Sequence, residues 1–337
     1  MFELQKKIPT PQKLRKMLPL DEETKKIKQN CDIELAQVIA TKSRLLVVTG
    51  PCAADDYKAV CEYCANLKAL YDVVKDNILL VPRVFTAKPR SLGEGYLGML
   101  FCEKSEGDIN IERGLEDCRS LFLNCLMQTG LPLADELLYP EQYDYFSDLV
   151  SYYFLGARTS ESAVHRNFAS GMDCAVGIKN NTGGNLQALS QSLHCVETSK
   201  TIFKGDSQLV TSGNALAHAV LRGYTLNGKH YNNCNAQTFE ALEKLRALYE
   251  VKNGFVLVDC SHSNSGKNHQ RQIQNAVSAV ENFFPSKIGG IMLESYLQEG
   301  SSQDIYGCSK TDACLSFEDT KQLILRLNEI VKEKFKD

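Results

Sequence analysis

The stretch "RVFTAKPRS", Arg83 to Ser91, places three cations, Arg83, Lys88 and Arg90, within eight residues, directly after the apolar run "ILLVP". Arg158, Lys179 and Arg222 also lie at the ends of β-rich runs. Guanidinium forks pair bidentately with phosphates and carboxylates, so five or six such cations brought together suit a ligand with several negative charges, such as phosphates plus a carboxylate. A second set, Cys52, His262 and Glu294, ends three other runs and mixes thiolate, imidazole and carboxylate donors. That mixture suits a borderline divalent ion (Zn, Mn, Fe or Co) rather than Mg or Ca. Asp312, in "SKTDAC" beyond the last run, offers a fourth donor. Spacing alone leaves the metal reading open, because neither HExxH nor paired CxxC marks it. Singly, each residue also fits a buried thiol, a satisfied polar group, a helix cap or a surface ion pair.

What could bring these residues together is a regular alternation of elements. The strand candidates are "RLLVVTG", "ILLVPRVF", "LPLADEL", "YFLGAR", "CAVGIKN", "FVLVDCSH" and "GGIMLES". Between them run helical segments such as "YKAVCEYCANLKALYDVV", "AQTFEALEKLRALYE" and "HQRQIQNAVSAVENFF", with apolar residues three and four apart. One more strand belongs in segment 200–223, where "TIFK", "SQLV" and "AHAVLRG" compete. The pattern predicts an α/β fold, a single (β/α)8 TIM barrel with an N-terminal arm (1–42), a catalytic barrel (43–337) and extra loop elements. A dinucleotide fold is disfavoured because no GxGxxG follows the first strand. In a barrel, groups at the C-terminal strand ends converge on one face. Cys52, Arg83, Glu136, Arg158, Lys179, Asp259, His262 and Glu294 all fall there. Ser316 with Asp319 predicts a capping box opening the last helix.

With 337 residues, 43% hydrophobic and 23% charged, the chain can bury a sizeable core. A net charge of −3 gives no global basic field for nucleic acid, so any anion must be held by local charge. No apolar run is long enough for a membrane span and the N-terminus lacks a signal-type apolar region, which leads to an expectation of a cytoplasmic protein. Thirteen scattered cysteines read as reduced, packed thiols.

The segments "LLVVTGPC", "RVFTAKPRS", "GARTSESAVHRNFASG", "VGIKN", "TSGNALAHAVLRG", "VDCSHSNSGK", "IMLESYLQEG" and "CSKTDACLSFEDT" occur in that order. Together they resemble type I 3-deoxy-D-arabino-heptulosonate 7-phosphate (DAHP) synthases over almost the whole chain. The pairing of "TAKPRS" with "ADELLYPE" and "ESYLQEG" resembles the versions of Gram-positive bacteria most. The resemblance implies a metal-dependent barrel that condenses phosphoenolpyruvate with erythrose 4-phosphate and releases phosphate, the first committed step of the shikimate pathway to aromatic amino acids. It implies one divalent metal ion, Mn, Fe, Co or Zn, on Cys52, His262, Glu294 and Asp312. Phosphoenolpyruvate falls to Arg83, Lys88, Arg158, Lys179 and Arg222, and erythrose 4-phosphate to Arg90 and Ser91. Cys52, His262, Lys88 and Glu136 form the catalytic set, with Lys88 as proton donor and Glu136 guiding water. A homodimer or homotetramer, and an aromatic amino acid effector acting near the N-terminal arm or Lys200 to Asp206, are further implications.

Three departures bear on this. Tyr96 and Leu97 stand where the family often has Trp-Lys, Ala53 replaces a usual Ser, and "MLFCEKSEGDIN" lacks a common Asp-Pro. Two other readings stay compatible with the residues. One is a related phosphoenolpyruvate-dependent synthase using another aldose, and the other is a weakly catalytic, ligand-binding paralogue.

Overall fold

The computed structural model describes residues 1–90, 94–102 and 109–336. Eight parallel strands alternate with helices around a barrel: β1 (Leu45–Gly50), β2 (Ile78–Pro82), β3 (Ala134–Glu136), β4 (Tyr152–Leu155), β5 (Ala175–Lys179), β6 (Ala217–Leu221), β7 (Val256–Asp259) and β8 (Gly290–Glu294). β1 pairs with both β2 and β8. The ring closes between β2 and β3 through the parallel bridge of Arg83 with Ala134, where Val84 N donates to Ala134 O at 2.8 Å.

The strands read as unbroken apolar runs because both faces are covered. Leu46, Val48, Leu79, Val81 and Met292 point into the barrel. Their neighbours Leu45, Val47, Ile78, Leu80, Ile291 and Leu293 pack against the outer helices. Among the three segments competing for the sixth strand, "AHAVL" takes the place between β5 and β7. "TIFK" and "SQLV" instead pair with each other as an antiparallel hairpin outside the barrel, with Phe203 and Val210 exposed.

Two helices, Pro11–Met17 and Glu22–Thr41, precede β1. Asp21 caps the longer one by accepting from Thr24 N at 2.7 Å. Leu35, Val38 and Ile39 of that helix share a buried cluster with the barrel-interior side chains, so it closes the N-terminal end of the barrel. Ser316 caps the last helix, Phe317–Lys334, accepting from Asp319 N at 3.0 Å as the capping box predicts.

Candidate active site at the barrel mouth

A cavity of about 460 Å³ opens at the C-terminal ends of the strands. Arg83, Lys88, Arg90, Glu136, Arg158, Lys179, Arg222, His262, Glu294 and Asp312 all line it. Of the residues singled out in the sequence, Cys52 lies just beneath, fully buried, and Ser91 falls outside the described residues. Strand ends explain this convergence. Glu136, Lys179 and Glu294 are the last residues of β3, β5 and β8, Arg83 and Arg222 follow β2 and β6 directly, and Arg158 and His262 come three residues after β4 and β7.

Cys52, Glu294 and Asp312 bring one donor atom each to within 4.8 Å of one another. His262 stands beside this trio rather than inside it, with Nε2 3.9 Å from Glu294 Oε1. Its Nδ1 lies 2.9 Å from Asp259 Oδ2, and both atoms are buried without an aligned hydrogen-bond partner. The His262 backbone also holds φ at +49°, a left-handed conformation that costs a non-glycine residue energy and recurs at functional sites. Asp312, far along the chain from Glu294, is carried in by a loop tied to Asp55. One Asp55 oxygen accepts from Tyr296 Oη at 2.9 Å and the other from Lys310 N at 2.8 Å.

The trio fits a metal ion on the chemistry already present. The Lys88 ammonium lies among the donors, bonded to Cys52 Sγ and 3.2 Å from Asp312 Oδ2, so the centre already draws a cation. Burial, with Glu294 nearby, pushes the Cys52 thiol up to about 12. Burial also opposes ionisation of Asp312 and Glu294. Lys88, the Cys52 hydrogen bond and His262 together outweigh it at Asp312, and His262, Arg83 and Lys88 together outweigh it at Glu294, so both carboxyl groups sit below their ordinary values.

Glu294 is held on every side. Oε1 accepts from Arg83 at 2.9 Å and Oε2 from Ser261 Oγ at 2.7 Å, while its backbone exchanges two hydrogen bonds with the Gln272 amide. Arg83 is likewise committed. Its other donors reach the carbonyls of Pro51 and Cys52 and the sulfur of Met292, and its guanidinium sits 4.0 Å from the Phe85 ring centroid. Arg83 therefore anchors Glu294 under the cavity, whereas Arg158 stands exposed at the rim. Lys179 is buried 3.4 Å from Asp259, and burial lowers its pKa. At Arg222, burial again leads the lowering, with Arg158 adding to it.

Two further arrangements position the loops. Asp135 accepts from Thr86 N and Thr86 Oγ1, both at 2.9 Å, which pins the "TAKPRS" loop to β3, and burial pushes this carboxyl up to about 7. Asn180, Asn233 and Asn264 link the loops after β5, β6 and β7. Asn180 Oδ1 accepts from Arg222 N at 3.0 Å and Asn233 Nδ2 at 3.1 Å, and Asn264 Oδ1 accepts from Asn233 N at 2.9 Å. Sequence reading missed this network, as it missed Lys267 and His269 in the cavity lining. A Cβ at Gly156 would stand 2.2 Å from Glu136 Oε1, so any side chain there would push the Glu136 carboxylate aside. Leu97 is not among the lining residues; its carbonyl accepts from Lys88 N at 2.9 Å.

Residues 22–325 match the DAHP synthetase I family. The chain belongs to this family. It is 35% identical over 336 residues to the Tyr-sensitive phospho-2-dehydro-3-deoxyheptonate aldolase of Escherichia coli K12, covering 95% of this chain and 92% of the relative. The phospho-2-dehydro-3-deoxyheptonate aldolase of Haemophilus influenzae is 36% identical over 306 residues, covering 86% of this chain and 81% of the relative. A solved structure of the aldolase from Francisella tularensis superposes with a TM-score of 0.91 at 30% identity, covering 98% of this chain and 99% of the other. Nothing among these relatives ties the chain specifically to Gram-positive versions of the family. No helix of the described residues is long and apolar enough to cross a membrane.

Proposed function

We propose that the mouth cavity condenses phosphoenolpyruvate with erythrose 4-phosphate to DAHP and phosphate, the reaction that opens aromatic amino acid biosynthesis. The observation that carries this reading is one cavity lined by seven lysines and arginines that abuts a thiol and carboxylate donor cluster. Arg158, Lys179 and Arg222 neutralise the phosphate and carboxylate of phosphoenolpyruvate and aim its C3 at the aldehyde. Arg90, with Ser91, receives the phosphate of erythrose 4-phosphate. Cys52, Glu294 and Asp312, with His262 turning its Nε2 toward them, would hold a divalent ion of the Mn, Fe, Co or Zn kind. When bound, such an ion supplies Lewis acidity toward the aldehyde oxygen. Lys88, freed from Cys52 and Asp312, gives a proton to the oxygen formed from that aldehyde. Glu136 accepts a proton from the water that adds at C2 of phosphoenolpyruvate; the C–O bond to phosphate then breaks as the new C2 hydroxyl becomes the ketone and its proton passes to the departing phosphate.

Relatives are named for sensitivity to tyrosine or tryptophan, which supports an aromatic amino acid effector for this chain. Assembly as a homodimer or homotetramer belongs to the same reading. The exposed Phe203, Leu209 and Val210 on the hairpin suit a contact between copies.

Phosphate release from phosphoenolpyruvate, followed with erythrose 4-phosphate and separately with arabinose 5-phosphate, tests the reaction. Release with erythrose 4-phosphate alone is expected. A preference for arabinose 5-phosphate would move the chain to the other-aldose reading.

A further inference from the structure

A second cavity, of about 210 Å³, lies at the opposite end of the barrel. Its walls include Lys42 at the end of helix Glu22–Thr41, Arg246 in the last turn of helix Ala236–Leu248, and Ser286 and Lys287 before β8. Glu243 is the one carboxylate among the described lining residues, and it already accepts from Lys287 Nζ at 2.7 Å. The next acid toward Arg246, Glu197, has its oxygens taken by the backbone N–H groups of Lys252 and Asn253 at 2.8 and 2.9 Å. Arg246 Nε is closed off from solvent and has no hydrogen-bond partner.

Helix ends give a lysine or arginine a reason to stand near them. That reason does not cover three cations from three separate elements around one cavity with an orphaned guanidinium nitrogen. A buried N–H left unpaired is costly, and like charges gathered in a crevice repel one another. Burial, then the charge of Arg246, lowers the proton affinity of Lys42; Glu243 opposes this in part, and Lys287 adds to the lowering. A bound anion would relieve the repulsion among these charges.

We propose that this floor cavity is an anion site, separate from the catalytic mouth, that takes a small tetrahedral dianion held between Lys42, Arg246 and Lys287. The ligand class is free phosphate or the phosphate end of a small ester. Three cations outnumber the two carboxylates near them, Glu243 and Glu197, which favours an anion, and the volume is too small for a nucleotide.

Calorimetric titration of the full chain with inorganic phosphate tests the site. Wild-type protein is expected to show two classes of phosphate site, one at the mouth and one at the floor. Arg246→Gln and Lys42→Gln, each checked for an unchanged melting temperature, should weaken the floor class by about tenfold or more. Turnover should be unchanged in both. Arg158→Gln should weaken only the mouth class, so failure of the catalytic reading and failure of this one give different patterns. Glycerol 3-phosphate, titrated in parallel, separates the sources. Tighter binding of the ester at the floor assigns a phosphate ester, and tighter binding of inorganic phosphate assigns free phosphate. Arg246→Gln and Lys42→Gln proteins that bind both probes as wild type does would overturn the site.

Discussion

His262 at the barrel mouth and His218 at its floor occupy one fold and meet opposite treatment. His218 is fully buried; its Nδ1 donates to Leu216 O at 2.8 Å and its Nε2 meets the Tyr152 hydroxyl. The Tyr152 and Phe255 rings pack against it, and burial pushes it down to about 4, so it is neutral packing material. His262 has a left-handed backbone, an unaligned contact to Asp259 and an edge toward Glu294. The floor histidine has both ring nitrogens satisfied, and the mouth histidine keeps its Nδ1 unpaired. For this pair the contrast is that of a residue that serves stability and one held in the strained, unpaired state that recurs at functional sites.

Substitutions can break or sharpen this contrast. The largest effect belongs to the mouth. Cys52→Ala and His262→Ala should each lower turnover by a hundredfold or more, above the ~10- to 100-fold typical for an outer partner of a metal ligand. Steady-state phosphate release checks this, with melting temperature expected to hold. Arg158→Gln should raise the KM for phosphoenolpyruvate by roughly tenfold to a hundredfold, the range of one lost hydrogen bond to a charged group. A fall in kcat with unchanged KM would instead place Arg158 away from the ground-state ligand. Gly156→Ala displaces Glu136 and should lower kcat by tens of fold, because misplacements of about 1 Å cost up to about a hundredfold.

At the floor the expected change is in stability rather than rate. Unfolded His218 takes up a proton near pH 6.5, whereas the folded side chain stays neutral down to about 4. Stability is therefore full above pH 6.5 and falls as pH drops from 6.5 toward 4, by about 3 kcal/mol at roughly 1.4 kcal/mol per pKa unit. Denaturant titrations of wild type and His218→Gln across that window should show the slope flattening in the variant, while neutral-pH turnover is retained. Smallest of all is Leu97→Lys. Since Leu97 does not line the cavity, kcat/KM should move by only about twofold. A tenfold gain would show that the loop after "KPRS" reaches the ligand during turnover.

The sequence makes the barrel and most of its mouth legible for a physical reason. Apolar runs covered on both faces mark parallel strands, and the fold itself brings their ends together, so Arg83, Glu136, Lys179 and Glu294 could be placed without coordinates. The sixth strand could not, because β propensity favours "TIFK" over the alanine-containing "AHAVL", and only packing between β5 and β7 selects the latter. The Asn180, Asn233 and Asn264 links were equally hidden, since asparagines between elements read as solvated turns. Residues 1–42 read only as an N-terminal arm, without showing that Leu35, Val38 and Ile39 close the barrel floor. Nor did the spacing show that His262 stands beside the Cys52, Glu294 and Asp312 trio rather than within it.

The most direct test is phosphate release by wild type and Cys52→Ala after stripping with chelator and resupply of Mn, Co or Zn. Wild-type protein should lose activity on stripping and regain it with one of these ions, while Cys52→Ala stays inactive throughout. Full turnover in the presence of chelator, or a Cys52→Ala protein restored like wild type, would contradict a reaction centred on the Cys52, Glu294 and Asp312 cluster.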